Sequence, residues 1–526
     1  TYFKCNAITE AQQAFQHLPS RDVVSWSALI CGYAQHGLAH EAIRCFRLME
    51  QESIAPDAIT FVCILKACIS MGSAALVLGE EIHAKAQKQG LLKENLMLGN
   101  VLVSMYAKCG MLENAQRVFD ELPARDVISW NALITGHSQQ MDVAQAFHCF
   151  RRMQDEGIPP DAVTALCILK SCASTGSLKL GEEIHVELCN RGFGVEQAGV
   201  LGTALMDMYA KCGLLDKAKQ VFDNLPTRDV VSWSALITGY TQHGHGWEAL
   251  KCFQQMQDDG VCPDVATYIC ILKVCGITGS LEIGKDVDCK IRKQGLLTKD
   301  IMLGNALVEM YSGCGALAKA KEVFEQLPTR NVASWNAIIT GYAQYGYNDE
   351  AFICFRHMQD MGVCPNAVTY IYSLKACAIL QSLEVGEHID AEVRKQDLLQ
   401  KDIVLGTTLI DMYAKCGMVN KAREIFEQLP MKDTVMWTTL IGGYAQHGFG
   451  EEALECFKKM QEEGFHPDAV TYMCILKICG ILGYLQVGED IDAHVRQKGL
   501  LQRDIILCNT LIDMYAKCGA LEKSRE

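Results

Sequence analysis

Proline is scarce in this sequence, a surplus of positive charge is missing, and long apolar runs are absent. Eleven prolines and 43 glycines in 526 residues fall at recurring boundaries rather than in linkers. No low-complexity segment, charge run or serine-rich spacer divides the chain, so tethered domains are not expected. No apolar stretch reaches the roughly 20 residues of a membrane-spanning helix, and no span is expected. The net charge of −14 argues mildly against nucleic acid, whose partners are usually basic. Net charge does not say where charges lie, so patterning has to decide. No CxxC pair and no nucleophile–base constellation occurs; neither an enzyme, a metal site nor a cofactor is expected. The chain opens at Thr1, in mid-repeat and without an initiator methionine, and stops in mid-repeat at Glu526. Both natural ends are therefore expected to lie outside it, and a targeting peptide cannot be judged.

What is present is a period. VVSWSALICGYAQHG from Val23 returns as VISWNALITGHSQQM from Val127, VVSWSALITGYTQHG from Val230, VASWNAIITGYAQYG from Val332 and TVMWTTLIGGYAQHG from Thr434. The starts are 104, 103, 102 and 102 residues apart. Length alone suggests three or four domains, but a regular period overrules it. Each unit of such an array packs on its neighbours alone. The fold expected is all-α, a solenoid superhelix of stacked helix-turn-helix repeats over residues 1–526.

Each period divides into three helical hairpins. In the first, Trp26, Leu29, Ile30 and Tyr33 form a stripe at helical spacing. Gly37 breaks the chain, and Ala42, Cys45, Phe46 and Met49 share a face of the second helix. This 35-residue type occupies 23–57, 127–161, 230–264, 332–366 and 434–468. A middle type, with CILKAC and LGEEIH segments, occupies 58–95, 162–198, 265–300, 367–402 and 469–504. A short type, with MYAKCG, AQRVF and LPARD segments, occupies 96–126, 199–229, 301–331 and 403–433, with pieces at 1–22 and 505–526.

The 26 cysteines follow the same period. Cys5, Cys109, Cys212, Cys314, Cys416 and Cys518 stand at the KCG-like turn, where Asn6 once replaces the glycine. Cys45, Cys149, Cys252, Cys354 and Cys456 precede a phenylalanine. Residues repeated once per unit at a helical position are packing material, so reduced, buried thiols are expected. Pairs such as Cys63/Cys68 and Cys270/Cys275 lie within one helix and read as core. His185-Val186-Glu187 matches half of a zinc-deaminase signature, but the other half is missing. The tryptophans at position four of the 35-residue type sit on the packing stripe.

The fifth residue sorts by unit type. It is Ser27, Asn131, Ser234, Asn336 and Thr438 in the 35-residue type, and Asn100, Thr203, Asn305, Thr407 and Asn509 in the short type. In the middle type it is Val62, Leu166, Ile269, Ile371 and Met473. Helix first turns favour small polar residues anyway. That preference does not account for their exclusion from one type. Positions two, five and nine share a helix face, so repetition builds a row of amides and hydroxyls that can hydrogen-bond a base edge. Lys66, Lys170, Lys273, Lys375 and Lys477 lie four residues beyond the aliphatic fifth residue. Lys108, Lys211, Lys415 and Lys517 lie eight beyond the polar one. Such rows can neutralise a phosphate backbone, or answer a helix C-terminus. Ser312 and Gly313 interrupt the second row.

The VVSWNALI-like openings, the TYxCILKxC and GEEIH segments, and LGNALxxMYAKCG…AxxVFxxLPxRD resemble the pentatricopeptide repeat family. The match is to its variant with alternating P, L and S motifs, here the 35-residue, middle and short types. The resemblance spans essentially the whole chain. It implies sequence-specific binding of single-stranded RNA, one base per repeat, running 5′ to 3′ from N to C. It also implies a second code position, the last residue of each unit: Asp57, Asp126, Asp161, Asp229, Asp264, Asn331, Asn366, Asp433 and Asp468. An Asp before a helix is equally a good N-cap, and Asp300, Asp402 and Asp504 close middle-type units too. The family's code pairs Ser or Thr plus Asp with G, Asn plus Asp with U, and Asn plus Asn with C. The site implied is GnUUnGGnCCnGGn, with a pyrimidine at Asn509. The variant implies an organelle RNA-processing or cytidine-to-uridine editing factor, in mitochondrion or chloroplast. A deaminase-like domain would then act in cis beyond this chain or in trans. The alternative is a helical-repeat scaffold for protein partners.

Overall fold

In the computed structural model the described residues are 7–18, 20–190, 199–297, 299–502 and 504–524. They are helices and short connections, with no strand among them. The chain forms two compact units, Thr1–Thr267 and Tyr268–Glu526.

In the first unit one full period runs through helices Val23–Gln35, Ala39–Gln51, Ala58–Met71, Leu76–Lys88, Leu96–Lys108 and Leu112–Glu121. Each hairpin's first helix packs on its own second helix and on the first helices before and after it. The first helices thus line up side by side, with the second helices behind them. The second unit repeats this through Val332–Gln344, Asn348–Asp360, Ala367–Leu380, Leu383–Lys395, Ile403–Lys415 and Val419–Gln428.

The motifs have packing reasons. Each motif tryptophan takes an edge contact from a phenylalanine of the preceding short-type helix, 4.5–4.7 Å between ring centroids for Phe119–Trp130, Phe222–Trp233, Phe324–Trp335 and Phe426–Trp437. The basic residue of the LPxRD turn lies over that phenylalanine, as Arg125 over Phe119 at 5.0 Å and Arg330 over Phe324 at 5.1 Å. Such pairs add to area burial. The tryptophans are core, as their stripe implies. The glycine of the KCG-like turn is left-handed, with φ of 82° at Gly110 and 80° at Gly417, a conformation glycine adopts at little steric cost.

Two expectations need correction. The stretch Ala58–Lys88 is long and apolar enough to cross a membrane by length and composition, which the sequence reading missed. It is two helices joined at Gly72, where φ is 64°, and Phe61, Val62, Ile64 and Leu65 are buried among neighbours. Burial in a helix array, which run length cannot register, accounts for its composition. Among the described residues the thiols are free, but not uniformly buried. Cys45, Cys149, Cys252 and Cys456 are buried, whereas the turn cysteines from Cys109 to Cys518 are half-buried and Cys189, Cys262, Cys289 and Cys364 are exposed. Cys5 and Asn6 lie outside the described residues.

Candidate functional site

The last residue of a unit precedes the next helix in extended backbone, and its side chain caps that helix. Asp57 accepts from the Thr60 N–H at 2.8 Å, Asp161 from Thr164 at 2.9 Å and Asp264 from Thr267 at 2.8 Å. Asp126, Asp229, Asp433 and Asp468 cap in the same way, as do Asn331 and Asn366. A cap of this kind contributes about 1 kcal/mol.

The cap uses one end of the side chain. In Asp57, Asp161, Asp229, Asp264, Asp433 and Asp468 it is Oδ1, and Oδ2 has no hydrogen-bond partner among the described residues. In Asn331 and Asn366, Oδ1 takes the backbone N–H, which leaves Nδ2 as the outward end. Aspartate therefore offers an acceptor and asparagine a donor. Burial pushes the Asp161 carboxyl up, but the Thr164 N–H, the Asn131 amide and the Thr164 hydroxyl outweigh it and hold it below its ordinary value.

The fifth residue of a unit meets this same side chain. Asn131 Nδ2 donates to Asp161 Oδ1 at 3.0 Å, and Asn336 Nδ2 to Asn366 Oδ1 at 3.0 Å. Asn305 Nδ2 donates to Asn331 Oδ1 at 3.2 Å. Ser27 and Ser234 lie 3.3 Å from Asp57 and Asp264. Thr203, Thr407 and Thr438 give their hydroxyl protons to the carbonyl one turn back, of Gly199, Ile403 and Thr434, at 2.7, 2.8 and 2.9 Å. The structure thus joins, in most units, two positions that sequence spacing alone left 26 or 30 residues apart.

Three departures stand out. The row is not freely exposed: Ser27, Asn100 and Asn305 are 6%, 5% and 6% accessible, and each bonds the last residue of its own unit. Asn100 spends its amide on both oxygens of Asp126, at 3.0 and 3.2 Å, and its buried Oδ1 has no partner. Asn509 is exposed.

The lysines divide. Lys66, Lys170, Lys273, Lys375 and Lys477 are exposed and have no ion-pair partner among the described residues; Lys375 lies over the Tyr372 ring at 5.1 Å. Lys211, Lys415 and Lys517 are paired with Asp207, Asp411 and Asp513 at 2.8, 2.8 and 2.7 Å. A carboxylate one turn back thus pairs with these three lysines, a neighbour that the lysine spacing alone did not show. Lys108 escapes, with Ser104 in that place. Gly313 stands where the lysine would be, and its Cβ would come 2.7 Å from the Gly276 carbonyl.

A further row went unread in the sequence. The second residue of most units is an exposed aliphatic, including Val24, Ile128, Val200, Val231, Val404 and Val435 at 53–72% accessible. In the first unit of the fold these meet the other groups in a cleft of about 540 Å3, lined by Val200, Thr203, Asp229, Val231, Ser234 and Asp264, with Lys170 and Lys211 at its edge. The signal was exposure of an apolar residue once per hairpin, which only a structure reveals. No cluster suited to a metal ion occurs among the described residues.

Comparison with known proteins bears on this geometry. A model of the "PPR repeat family" matches residues 21–70, 125–174, 228–276, 330–379 and 432–480. A "PPR repeat" model matches 100–127, 203–230, 407–433 and 506–526. A chloroplastic pentatricopeptide repeat-containing protein of Arabidopsis thaliana is 36% identical over 471 residues, 89% of this chain and 75% of the relative. A mitochondrial one from the same plant is 34% identical over all of this chain and 50% of its own length. The chain thus spans between half and three quarters of these relatives. Among solved structures, maize PPR10 matches the whole chain and 78% of its own at 17% identity and a TM-score of 0.59. PPR10 in complex with an 18-nt psaJ RNA element matches at 18% identity, 77% of that chain and a TM-score of 0.56.

Proposed function

Since the chain belongs to the pentatricopeptide repeat family, we propose that it binds single-stranded RNA and selects one base with each fifth-and-last residue pair. The observation that carries the proposal is the hydrogen-bond polarity these pairs present. Asn131 with Asp161 offers one outward N–H and one outward carboxylate oxygen. That is the complement of uracil, with a carbonyl beside an imino N–H. Ser or Thr readers spend their own proton inside the protein and, with Asp, offer two acceptors. Guanine, with adjacent N1–H and amino donors, fits. Asn336 with Asn366 offers two donors, which suits the N3 and O2 acceptors of cytosine.

Carried through the units in chain order, Ser27/Asp57 takes G, and Asn100/Asp126 and Asn131/Asp161 take U. Thr203/Asp229 and Ser234/Asp264 take G, Asn305/Asn331 and Asn336/Asn366 take C, and Thr407/Asp433 and Thr438/Asp468 take G. The site is 5′-GnUUnGGnCCnGGn-3′. The exposed aliphatics at position two offer apolar flanks to the base planes, and the unpaired lysines suit phosphates. The three unit types correspond to P, L and S motifs. We further propose that the chain is the specificity tract of an organelle RNA-processing or cytidine-to-uridine editing factor, with an editing domain in cis or in trans. The chloroplastic and mitochondrial names of its relatives support an organelle.

The test is a code swap. Asn131→Ser with Asp161 kept should move the preferred base there from U to G in competition between oligonucleotides differing at that base. An unchanged preference contradicts the pairing. A protein scaffold, the rival reading, predicts no RNA binding that weakens steeply with salt.

A further inference from the structure

The middle-type units carry an aliphatic fifth residue and look idle in base reading. Their third residue does not. Thr60, Thr164, Thr267, Thr369 and Thr471 are each 0% accessible, and each hydroxyl touches the reader of the 35-residue unit before it. Thr164 accepts from the Asp161 N–H at 3.1 Å and donates to Asn131 Oδ1 at 2.6 Å. Thr369 does the same between Asn366 and Asn336, at 3.1 and 2.6 Å. Thr60, Thr267 and Thr471 lie 2.6, 2.5 and 2.7 Å from the hydroxyls of Ser27, Ser234 and Thr438. These three donate to Asp57, Asp264 and Asp468 at 2.6, 2.6 and 2.7 Å.

A hydroxyl has one proton to give. Before an asparagine reader the threonine's shorter contact is to the amide oxygen, at 2.6 Å against 3.0 Å to the capping Oδ1, so the proton goes mainly to the amide oxygen and the amide N–H is left to face outward. Before a serine or threonine reader the buried threonine holds both the carboxylate and the reader's hydroxyl. The reader's proton goes to it or to the carbonyl one turn back, as from Ser27 to Val23 at 2.6 Å and from Thr438 to Thr434 at 2.9 Å. A lone pair of the reader then faces outward. One buried residue thus holds either polarity.

Short-type readers are held differently. The third residue of the unit that follows them is Ser129, Ser232, Ser334 or Met436. Ser129 and Ser232 donate to the backbone carbonyls of Asp126 and Asp229 at 2.8 and 2.9 Å. Asn100 is left with its unpartnered Oδ1. Only Ser334, among the described residues, reaches a reader, Asn305, at 2.7 Å.

Resting on the base-reading proposal above, we infer that the buried threonine of each middle-type unit is a positioning residue for base selection, acting on the unit before it. The 35-residue units then read more strictly than the short ones.

The experiment measures base preference by competition at two sites of the intact chain, those read by Asn131 and Asn100. Both pairs are Asn/Asp, so residue identity predicts equal preference for U. The clamp predicts a stronger one at Asn131, and equal preference overturns the inference. Thr164→Val should lower the preference for U at the Asn131 base about tenfold, within the range a well-placed pair discriminates. Preferences at other bases should stay unchanged, and Thr164→Ser should restore the loss. Thr369→Val repeats the test on C at Asn336, should the first variant not fold. A purely structural threonine would lower thermal stability and weaken every oligonucleotide alike, with selectivity intact; that result overturns the inference. Absence of RNA binding by the unaltered chain would instead overturn the base-reading proposal beneath it.

Discussion

Asp161 does two things with two oxygens. Oδ1 closes a helix and steadies Asn131, while Oδ2 stays outward. Capping and the proposed base reading therefore do not compete at this position, and residue identity alone offers no means to choose between them. A second residue-scale contrast lies behind the readers. His83 and His185 bond to Tyr106 and Tyr209 at 2.9 and 2.8 Å, where later periods have Asp288–Tyr311 and Asp390–Tyr413. Desolvation lowers both histidine pKa values; Arg117 adds to this at His83 and Lys217 at His185, while Glu121 and Glu80, and Glu182, oppose it. The folded state thus prefers neutral rings, while the unfolded chain protonates near pH 6.5. Their contribution is complete above that pH and is lost as pH falls below it. The melting temperature should fall between pH 7.5 and 5, and fall less in a His83→Gln/His185→Gln variant. An identical pH dependence in the two proteins would contradict this.

Among elements, the three hairpin types differ in chemistry more than in shape. Their helices were legible because Trp, Leu, Ile and Tyr recur at helical spacing, and because Gly and Asp punctuate each unit. The polar fifth row was legible too, since aliphatic residues replace it in one type alone. Illegible were contacts spanning 26 to 33 residues, such as Asn131 to Asp161 and to Thr164. The recurrent third-position threonine was visible, yet it read as ordinary first-turn polarity. The lysine rows looked alike until Asp207, Asp411 and Asp513 were seen to neutralise one of them. Lys170→Ala should therefore reduce the salt slope of RNA binding by about 0.7, the loss of one phosphate contact on a single strand. Replacing Lys211 together with Asp207 by alanine should leave the slope unchanged. Equal effects would return the short-type lysines to the phosphate path.

For the whole molecule, a net charge of −14 and an RNA partner are compatible because charge is placed by unit type. Acidic residues cluster on the second helices, as Glu80 and Glu81 or Glu451 and Glu452, while unpaired lysines stand on first helices beside the readers. Association then depends on local rows rather than on total charge. The central claim is that residue pairs meet bases in chain order. It is tested most directly by competing 5′-GnUUnGGnCCnGGn-3′, with n held constant, against an oligonucleotide of the same composition in which the named bases are permuted. At a fixed salt of about 0.15 M the account predicts at least about a hundredfold preference for the first. Equal affinity for the two would contradict it.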